Sequence, residues 1–591
     1  MMKNKEKKYI LENAGTKSIQ DLSRELGLKE RTVRKLLKRE KRELKTPAIT
    51  SFMHELRLEE KDIIFKTLLA VLVVGFALRL AGIFWGTPLL DPLADFYHPD
   101  EGKIVNGAVG FPQHIMTNVQ FTYTTFYPYL IGILSLPLRL IFGQETFQYY
   151  CYTHLLGRIC SVFIGTGTIL ATYFLAKKIY DRKRALLAGA FICLSLYHCQ
   201  DSSWTTVDVL TSLWTVLFFL AARKAIIFSG TMKDYLWAGV IFGCSVGTKQ
   251  TCLVLIIVFL TMVVYSAIRG LPEQERGRYI VGRVFNPKLF LFGIVSVVSF
   301  FITTPGFLIH FHEFIDWNRY VAWENYRYYL PRTDLSVWVK LYHTFTNSIG
   351  LPLTLLFIFG LIVSFREKKV EILAAILLFL AYFGYLGNIM TSRYIIIVMP
   401  LIAVIASHGI VSLYESKQNI VRFFAGAVIA GTVVYSFLYC AGAVYLRLND
   451  TRTGSAHYIE ENIPQSSTIG IAFDSDKFHW RYHGWKYPKI NFEKYKEEYF
   501  LNRPDILVLS SFDFVQIEEA LKSDKLKEGY VWDEAYNKEW YNFAPPPPSF
   551  FQFYDELLNK HKGYVLLKAF KRNNFIPISF QSPEIRIYKR I

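Results

Sequence analysis

Five consecutive residues, Tyr97-His98-Pro99-Asp100-Glu101, place two carboxylates and an imidazole directly after a long apolar run. Ionisable groups beside a bilayer are costly, so they are the first candidates for function. Asp201 and Asp208 stand at the entry to a later apolar run, seven residues apart, and on a continuous helix they share a face. Lys249 sits in the turn Gly247-Thr248-Lys249 between two apolar runs, Arg393 lies in TSRY, and His310, His312 and Arg319 follow another run. Such a set suits one kind of chemistry: a carboxylate takes the proton of an acceptor hydroxyl while Lys and Arg hold a departing phosphate. Each residue also has a plainer reading. Asp208 can serve as the acid that a helix dipole favours at its start. Lys249 and Arg393 can anchor helix ends at the interface, and His98 reads as orienting or structural. The residues alone allow either Asp100 or Glu101 as the base.

The elements that must position these groups are membrane spans. The chain has 591 residues, 52% of them hydrophobic, which is more apolar surface than a soluble domain hides. Mean hydropathy is +0.22. The run from Ile63 to Trp85 is long enough to cross roughly 30 Å of hydrocarbon as a helix, and it lies too deep and runs too long for a cleaved signal. Further spans are expected at about Leu155–Ile179, Arg184–His198, Thr206–Ile227, Tyr235–Thr248, Cys252–Ala267, Leu289–Ile309, Tyr342–Phe365, Val370–Gly387, Tyr394–Leu413 and Phe423–Leu446. The half-length piece Phe126–Phe142, with Pro128 and Pro137, reads as juxtamembrane or re-entrant. About eleven spans put the N terminus in the cytoplasm and the C terminus outside. The loops then inside (KKIYDRKR, RKAIIFSGTMK, RGLPEQERGRYIVGR, REKK, ESKQNIVR) are all net basic or neutral, which accounts for much of the net charge of +18.

The expected organisation is a cytoplasmic segment over 1–46, a linker over 47–62, a transmembrane unit over 63–448 and an extracytoplasmic α/β domain over 449–591. The last alternates helix signals with the β-rich runs STIGIAF, DILVLSS, YVLLKAF and EIRIYKR, with Pro545–Pro548 as a rigid loop. All seven cysteines lie in or beside apolar segments, so disulfides do not hold that domain, and their spacing does not suggest zinc. Ser18–Arg39 has a helix-turn-helix pattern. Leu22, Leu26, Leu28, Val33, Leu36 and Leu37 would form a small core, Gly27 the turn, and KERTVRKLLKRE a basic second helix. It suits a phosphate backbone, or simply an appendage whose charge keeps it inside.

The motifs YHPDE, HCQDSSWTTVD, GCSVGTKQT and TSRYIIIVMP, in that order, resemble the lipid-carrier-dependent glycosyltransferases of the protein O-mannosyltransferase-like group. That group belongs to the GT-C superfamily, with the aminoarabinose transferases and oligosaccharyltransferases. NDTRTGSAHYIEENIPQSSTIGI and SPEIRIYKR also look like its bacterial members, so the resemblance runs from about Ile63 to the C terminus. It implies a mainly α, GT-C-type multi-span bundle with an outer α/β domain. It also implies inverting transfer of a sugar from a polyprenyl phosphate to an acceptor hydroxyl of a protein, lipid or glycan on the extracytoplasmic side. Asp100 then becomes the base with Glu101 beside it, and the second acid corresponds to Asp201 or Asp208. Gln200-Asp201-Ser202 departs from the Arg or Ser that relatives often place before that acid, which leaves the choice open. Lys249 and Arg393 are expected to neutralise the lipid phosphate as it leaves, and His98 is counted with Asp201, Asp208 and these cations as substrate-binding. Related oligosaccharyltransferases use a divalent metal; the mannosyltransferase branch implies no metal and no cofactor.

Two other readings compete. A transporter or flippase of lipid-linked sugar explains intramembrane charge, but such proteins usually carry repeated halves with broken helices, and the sequence shows none. A membrane-tethered regulator would bind nucleic acid through residues 18–39 with a steep salt dependence.

Overall fold

The computed structural model describes residues 19–28, 30, 32–33, 63–94, 96–98, 100–117, 123–228, 230–268, 286–329, 337–367, 369–386, 392–471, 490–491, 504–511, 563–571 and 582–591. Hydrocarbon offers no water to a free amide, so the long apolar runs close their hydrogen bonds within helices. In chain order the helices used below are α1 (Ile19–Leu26), a short polar one, then α2 (Ile63–Leu80), α3 (Glu101–Val109), α4 (Phe126–Phe142), α5 (Phe147–Ile179), α6 (Arg182–Cys193), α7 (Leu196–Asp201), α8 (Asp208–Ala222) and α9 (Met232–Thr248). They continue as α10 (Ile256–Ile268), α11 (Pro287–Thr303), α12 (Phe311–Tyr329), α13 (Val337–Ile349), α14 (Leu351–Phe365), α15 (Val370–Leu386), α16 (Met399–Tyr414), α17 (Asn419–Leu448) and α18 (Thr451–Asn462). The protein is a mainly α membrane protein. Among the described residues, five helical stretches are long and apolar enough to cross a membrane, or six if one bent pair is a single span. α4, α11, α15 and α16 are shorter apolar helices.

That bent pair departs from expectation. Tyr342–Phe365 reads as one span, yet α13 and α14 meet at 114°. Gly350 takes φ +82°, open to glycine, and Pro352 lacks the amide hydrogen that would continue the ladder. The Asp201–Asp208 stretch is also not a continuous helix: α7 ends at Asp201 and α8 begins at Asp208. Short polar side chains there bond nearby backbone instead, Ser202 Oγ to His198 O at 2.5 Å and Ser203 Oγ to Arg79 O at 2.8 Å.

α9 presents Gly239, Gly243 and Gly247 to α11. A Cβ at Gly243 would lie 2.3 Å from Ser296 O, and one at Gly247 would lie 2.0 Å from Thr303 Oγ1. Small residues at four-residue spacing let two helix backbones touch where lipid gives no hydrophobic drive. The close approach fixes the end of α9, where Lys249 sits.

At the N terminus α1 stops at Gly27, whose φ of +63° fits the expected turn, and Val33 is buried. The second helix of the helix-turn-helix pattern beyond Val33 and the 47–62 linker lie outside the described residues. At the other end, after α18, comes a five-stranded sheet ordered β2-β1-β3-β5-β4, with β1 Ile469–Ile471, β2 Ile490–Asn491, β3 Ile506–Ser510, β4 Tyr564–Phe570 and β5 Ile585–Arg590. β1 runs parallel to β2 and β3, whereas β5 is antiparallel to β3 and β4. Four strands fall on the four β-rich runs; the Pro545–Pro548 run lies outside the described residues. Ile459 of α18 and Ile463 just after it pack on Ile469, Ile506, Val508, Ile585 and Ile587.

This segment is fastened to the loop after α2. Trp85 Nε1 donates to Asp450 Oδ2 at 2.8 Å, Arg452 pairs with the same carboxylate at 2.9 Å, and the Ser582 amide donates to it at 3.0 Å. Tyr97 and Thr453 hydroxyls meet at 2.8 Å, and His457 lies 3.0 Å from Asp91.

Candidate active site

Four chain segments meet at one charged cluster. Asp208 opens α8 with its side chain 2% exposed. Lys249 follows α9 in an extended conformation (φ −155°, ψ 130°), which turns it out of the helix, and its Nζ reaches Asp208 Oδ1 at 2.5 Å. Arg393 comes from the short 3-10 turn Ser392–Ile397 before α16, pinned by Ser348 Oγ on Ser392 O at 2.5 Å and by the Tyr382 hydroxyl on Tyr394 O at 3.0 Å. Its Nε and Nη2 both donate to Asp208 Oδ2 at 2.9 Å, and its Nη1 donates to Asp100 Oδ2. One buried carboxylate thus holds two cations side by side, and one of them reaches on to the second carboxylate.

Asp100 stands at the N-cap of α3 and its side chain is 15% exposed, so of the two paired acids it is the one open to an incoming group. Burial disfavours its charged form. The Arg393 guanidinium overrides this and holds the carboxyl well below the usual carboxylate range, helped by His98 and Lys103. Tyr123 completes the cluster: its hydroxyl accepts from Arg393 Nη2 at 3.1 Å, and Lys249 Nζ lies 5.7 Å from its ring centre and 5.2 Å from that of Tyr394.

Glu101 points elsewhere. As the first residue of α3 it is rotated away from Asp100 and meets Arg158 of α5, Nε to Oε1 at 2.8 Å and Nη2 to Oε2 at 2.6 Å. The Thr205 amide donates to the same carboxylate at 2.7 Å, while Arg158 Nη1 bonds Ile83 O and Trp85 O at 2.8 and 2.7 Å. Burial opposes the charge on Glu101, but Arg158 wins and lowers the carboxyl to about 2. The pair ties the first loop to α5 and the α7–α8 turn, which differs from the sequence expectation that Glu101 works beside Asp100.

Asp201 is fully buried and accepts from Thr206 Oγ1 at 2.7 Å. Burial, then the charge of Asp208, pushes it up to about 7. Of the two alternatives for the second acid, the structure brings Asp208 to the cations. His98 is buried against the Trp204 ring at 4.4 Å between centres, and its Nδ1 accepts the Asp100 amide at 3.3 Å. Burial lowers it to about 4, against the pull of Asp100 and Glu101. His310 Nε2 donates to Met116 O at 2.9 Å, and Arg319 pairs with Asp316 at 3.6 Å; neither joins the cluster.

Arg158 and Tyr123 did not stand out in the sequence. Arg158 carried a signal, a cation inside an apolar run; Tyr123 lies in a polar stretch where nothing marks it. Among the described residues, no three His, Cys, Asp or Glu side chains gather as metal ligands. The acids of the cluster face cations instead of a shared open position.

Residues 152–285 match the family model described as dolichyl-phosphate-mannose-protein mannosyltransferase. The stretch includes HCQDSSWTTVD and GCSVGTKQT, and over it the chain is similar to the lipid-carrier-dependent glycosyltransferases of that group, in line with the resemblance of those two motifs. No curated protein matches the chain. Among solved structures, the Archaeoglobus fulgidus oligosaccharyltransferase in complex with an inhibitory peptide and a dolichol-phosphate is similar over 90% of this chain and 89% of its own, at 12% identity and a TM-score of 0.49. Its form tethered with an acceptor peptide aligns with 71% of this chain at 13% identity and a TM-score of 0.44, and this chain spans 63% of that protein's length. ArnT from Cupriavidus metallidurans bound to undecaprenyl phosphate is similar over 76% of this chain and 94% of its own, at 14% identity and a TM-score of 0.41.

Proposed function

We propose that this protein is a membrane glycosyltransferase that moves a sugar from a polyprenyl phosphate to an acceptor hydroxyl on the extracytoplasmic side, with inversion. The observation that carries the reading is the clamp of Lys249 and Arg393 on Asp208, with Asp100 at the other end of Arg393. Two cations held 2.5 and 2.9 Å from one buried carboxylate form a ready seat for a phosphate.

The acceptor hydroxyl gives its proton to Asp100 as its oxygen bonds to the anomeric carbon. The bond from that carbon to the phosphate oxygen breaks on the opposite face, and the electron pair leaves with the polyprenyl phosphate, which Lys249 and Arg393 hold. In the resting site Arg393 occupies Asp100, so the base is too acidic to accept a proton; an arriving phosphate competes for that guanidinium and frees the carboxylate. Glu101 acts as a positioning residue that fixes the loop carrying Asp100. His98 orients the Asp100 amide, and Asp201 shapes the turn that leads to Asp208.

On this reading residues 63–448 form the transferase unit and 449–591 an outer α/β domain, with the N terminus inside. The hydrogen bonds from Trp85 and Tyr97 to Asp450 and Thr453 support this, because they hold the sheet on the side of the membrane where Asp100 lies. The acceptor is a protein, lipid or glycan that carries a hydroxyl. Neither the family match nor the site lends support to nucleic acid as a partner of residues 18–39. The test is transfer by Asp100→Asn in membranes supplied with a polyprenyl-phosphate sugar. We expect a loss of about 10²–10⁴-fold with donor binding retained; full transfer by the variant refutes the assignment.

A further inference from the structure

Arg79, in α2, is fully buried, and among the described residues it pairs with no carboxylate. Its Nη1 donates to Gly75 O at 2.9 Å and Cys193 O at 3.2 Å, and its Nη2 to Ile192 O at 3.3 Å and His198 Nδ1 at 2.9 Å. Ile192 and Cys193 close α6, so the guanidinium sits on the free carbonyls of a helix end, where the dipole favours a cation. The Arg79 carbonyl also accepts from Ser203 Oγ at 2.8 Å. Gly165 of α5 closes on the same point: a Cβ there would lie 2.2 Å from Ser202 Oγ and 3.0 Å from Arg79 Nε.

The direction of the next bonds is forced. A guanidinium only donates, so His198 Nδ1 accepts and carries no proton. The ring proton is therefore on Nε2, which donates to Ser212 Oγ at 3.1 Å, and the Ser212 hydroxyl donates to Val209 O at 2.7 Å. Both His198 and Ser212 are fully buried, so no water competes for these bonds. Asp208 needs such a hold. It opens α8 with Val207 at the N-cap and no capping side chain, after residues 202–207, which belong to no helix. Its carboxylate nevertheless carries both Lys249 and Arg393, and Val209 is the next residue.

We propose that Arg79 and His198 are positioning residues for the phosphate seat. The one-way chain from Arg79 through His198 and Ser212 to Val209 O fixes the start of α8, and with it the carboxylate that holds the two cations. Arg79 grips the other side of the break as well, through Ser203. α2 and the end of α6 thus set where α8 begins. The role of the seat rests on the function proposed above; the hold on Asp208 does not.

The experiment uses full-length protein in detergent micelles. Equilibrium binding of a short-chain polyprenyl phosphate is measured per folded molecule, with transfer kinetics alongside. His198→Leu removes both ring contacts and should weaken binding about 10–100-fold, the size of effect that orienting partners have on metal ligands. Donor KM should rise with it while acceptor KM stays near wild type, because His98 and α3 hold Asp100. His198→Gln offers one acceptor and one donor at the same place and should bind close to wild type. A merely structural role would lower the folded fraction and leave binding per folded molecule unchanged. If His198→Leu does not fold, Ser212→Ala, which cuts only the last link, decides by the same measurement. Wild-type binding in these variants overturns the proposal. A double-mutant cycle of Ser212→Ala with Asp208→Asn, read as unfolding midpoints without lipid, separates the hold from the function. We expect Asp208→Asn to lower the midpoint less in Ser212→Ala than in wild type, and additive shifts overturn the proposal. A non-additive cycle in a wild type that binds no polyprenyl phosphate refutes the function proposed above and leaves the hold on Asp208 standing.

Discussion

Glu101→Gln separates a structural from a chemical role for the second acid of the motif. The substitution keeps the shape and removes the charge. Arg158 would then be left 1% exposed, facing an amide in place of a carboxylate that now takes two of its donors at 2.6 and 2.8 Å. Breaking a buried pair from one side costs about 3–5 kcal/mol. Arg158 keeps two carbonyl acceptors, Ile83 O and Trp85 O, which places the expected loss near the lower end, about 3 kcal/mol. The assay is denaturant unfolding in detergent, followed by tryptophan fluorescence and paired with transfer measured per folded molecule. We expect the unfolding midpoint to fall while each folded molecule retains most of its transfer. Glu101→Gln combined with Arg158→Met, which removes both charges, should recover much of the stability. Wild-type stability together with a hundredfold loss of transfer would refute the reasoning and return Glu101 to the reacting atoms.

Other outcomes follow from the same geometry. His98 titrates at about 4 when folded and near 6.5 when unfolded, so below pH 6.5 the unfolded chain takes the proton first. Stability should therefore fall by about 3 kcal/mol between pH 6.5 and 4, and His98→Gln should flatten that slope in unfolding midpoints measured against pH. Arg393→Gln should raise the donor KM at least tenfold and abolish the thermal stabilisation given by polyprenyl phosphate. Arg393→Lys should restore little of either, because an ammonium does not bridge Asp100 and Asp208 as the fork does. Gly243→Val drives a side chain against Ser296 O and should cost about 1–3 kcal/mol in unfolding assays, with weaker donor binding as Lys249 shifts.

Much of the cluster was legible because bilayers make ionisable residues conspicuous: Asp100, Asp208, Lys249 and Arg393 all interrupt or border apolar runs, and all four meet. What the sequence did not reveal depends on helix phase and helix ends. Asp100 and Glu101 are adjacent, yet one caps α3 and the other begins it, and this sends them to different arginines. Asp201 and Asp208 share a face only if a helix continues through Ser202–Thr206, and hydroxyls that bond the backbone end it. The bend at Gly350 was missed, because Tyr342–Phe365 reads as one apolar run, although Gly-Leu-Pro supplies both a positive-φ residue and a missing donor. The four β-rich runs became strands because alternation and β-branched content are local properties, whereas strand order is set by long-range pairing.

The cluster draws its charged members from residues 100, 208, 249 and 393, in that order along the chain. A ribosome delivers them in the same order. Until Arg393 emerges, Asp208 has Lys249 but no fork across to Asp100, and the proposed phosphate seat lacks half its charge. The nascent protein therefore inserts most of its helices into a membrane rich in lipid carriers before it is able to engage one. On the proposed function competence arrives only with the segment that carries Arg393, so a product truncated before it should be inactive.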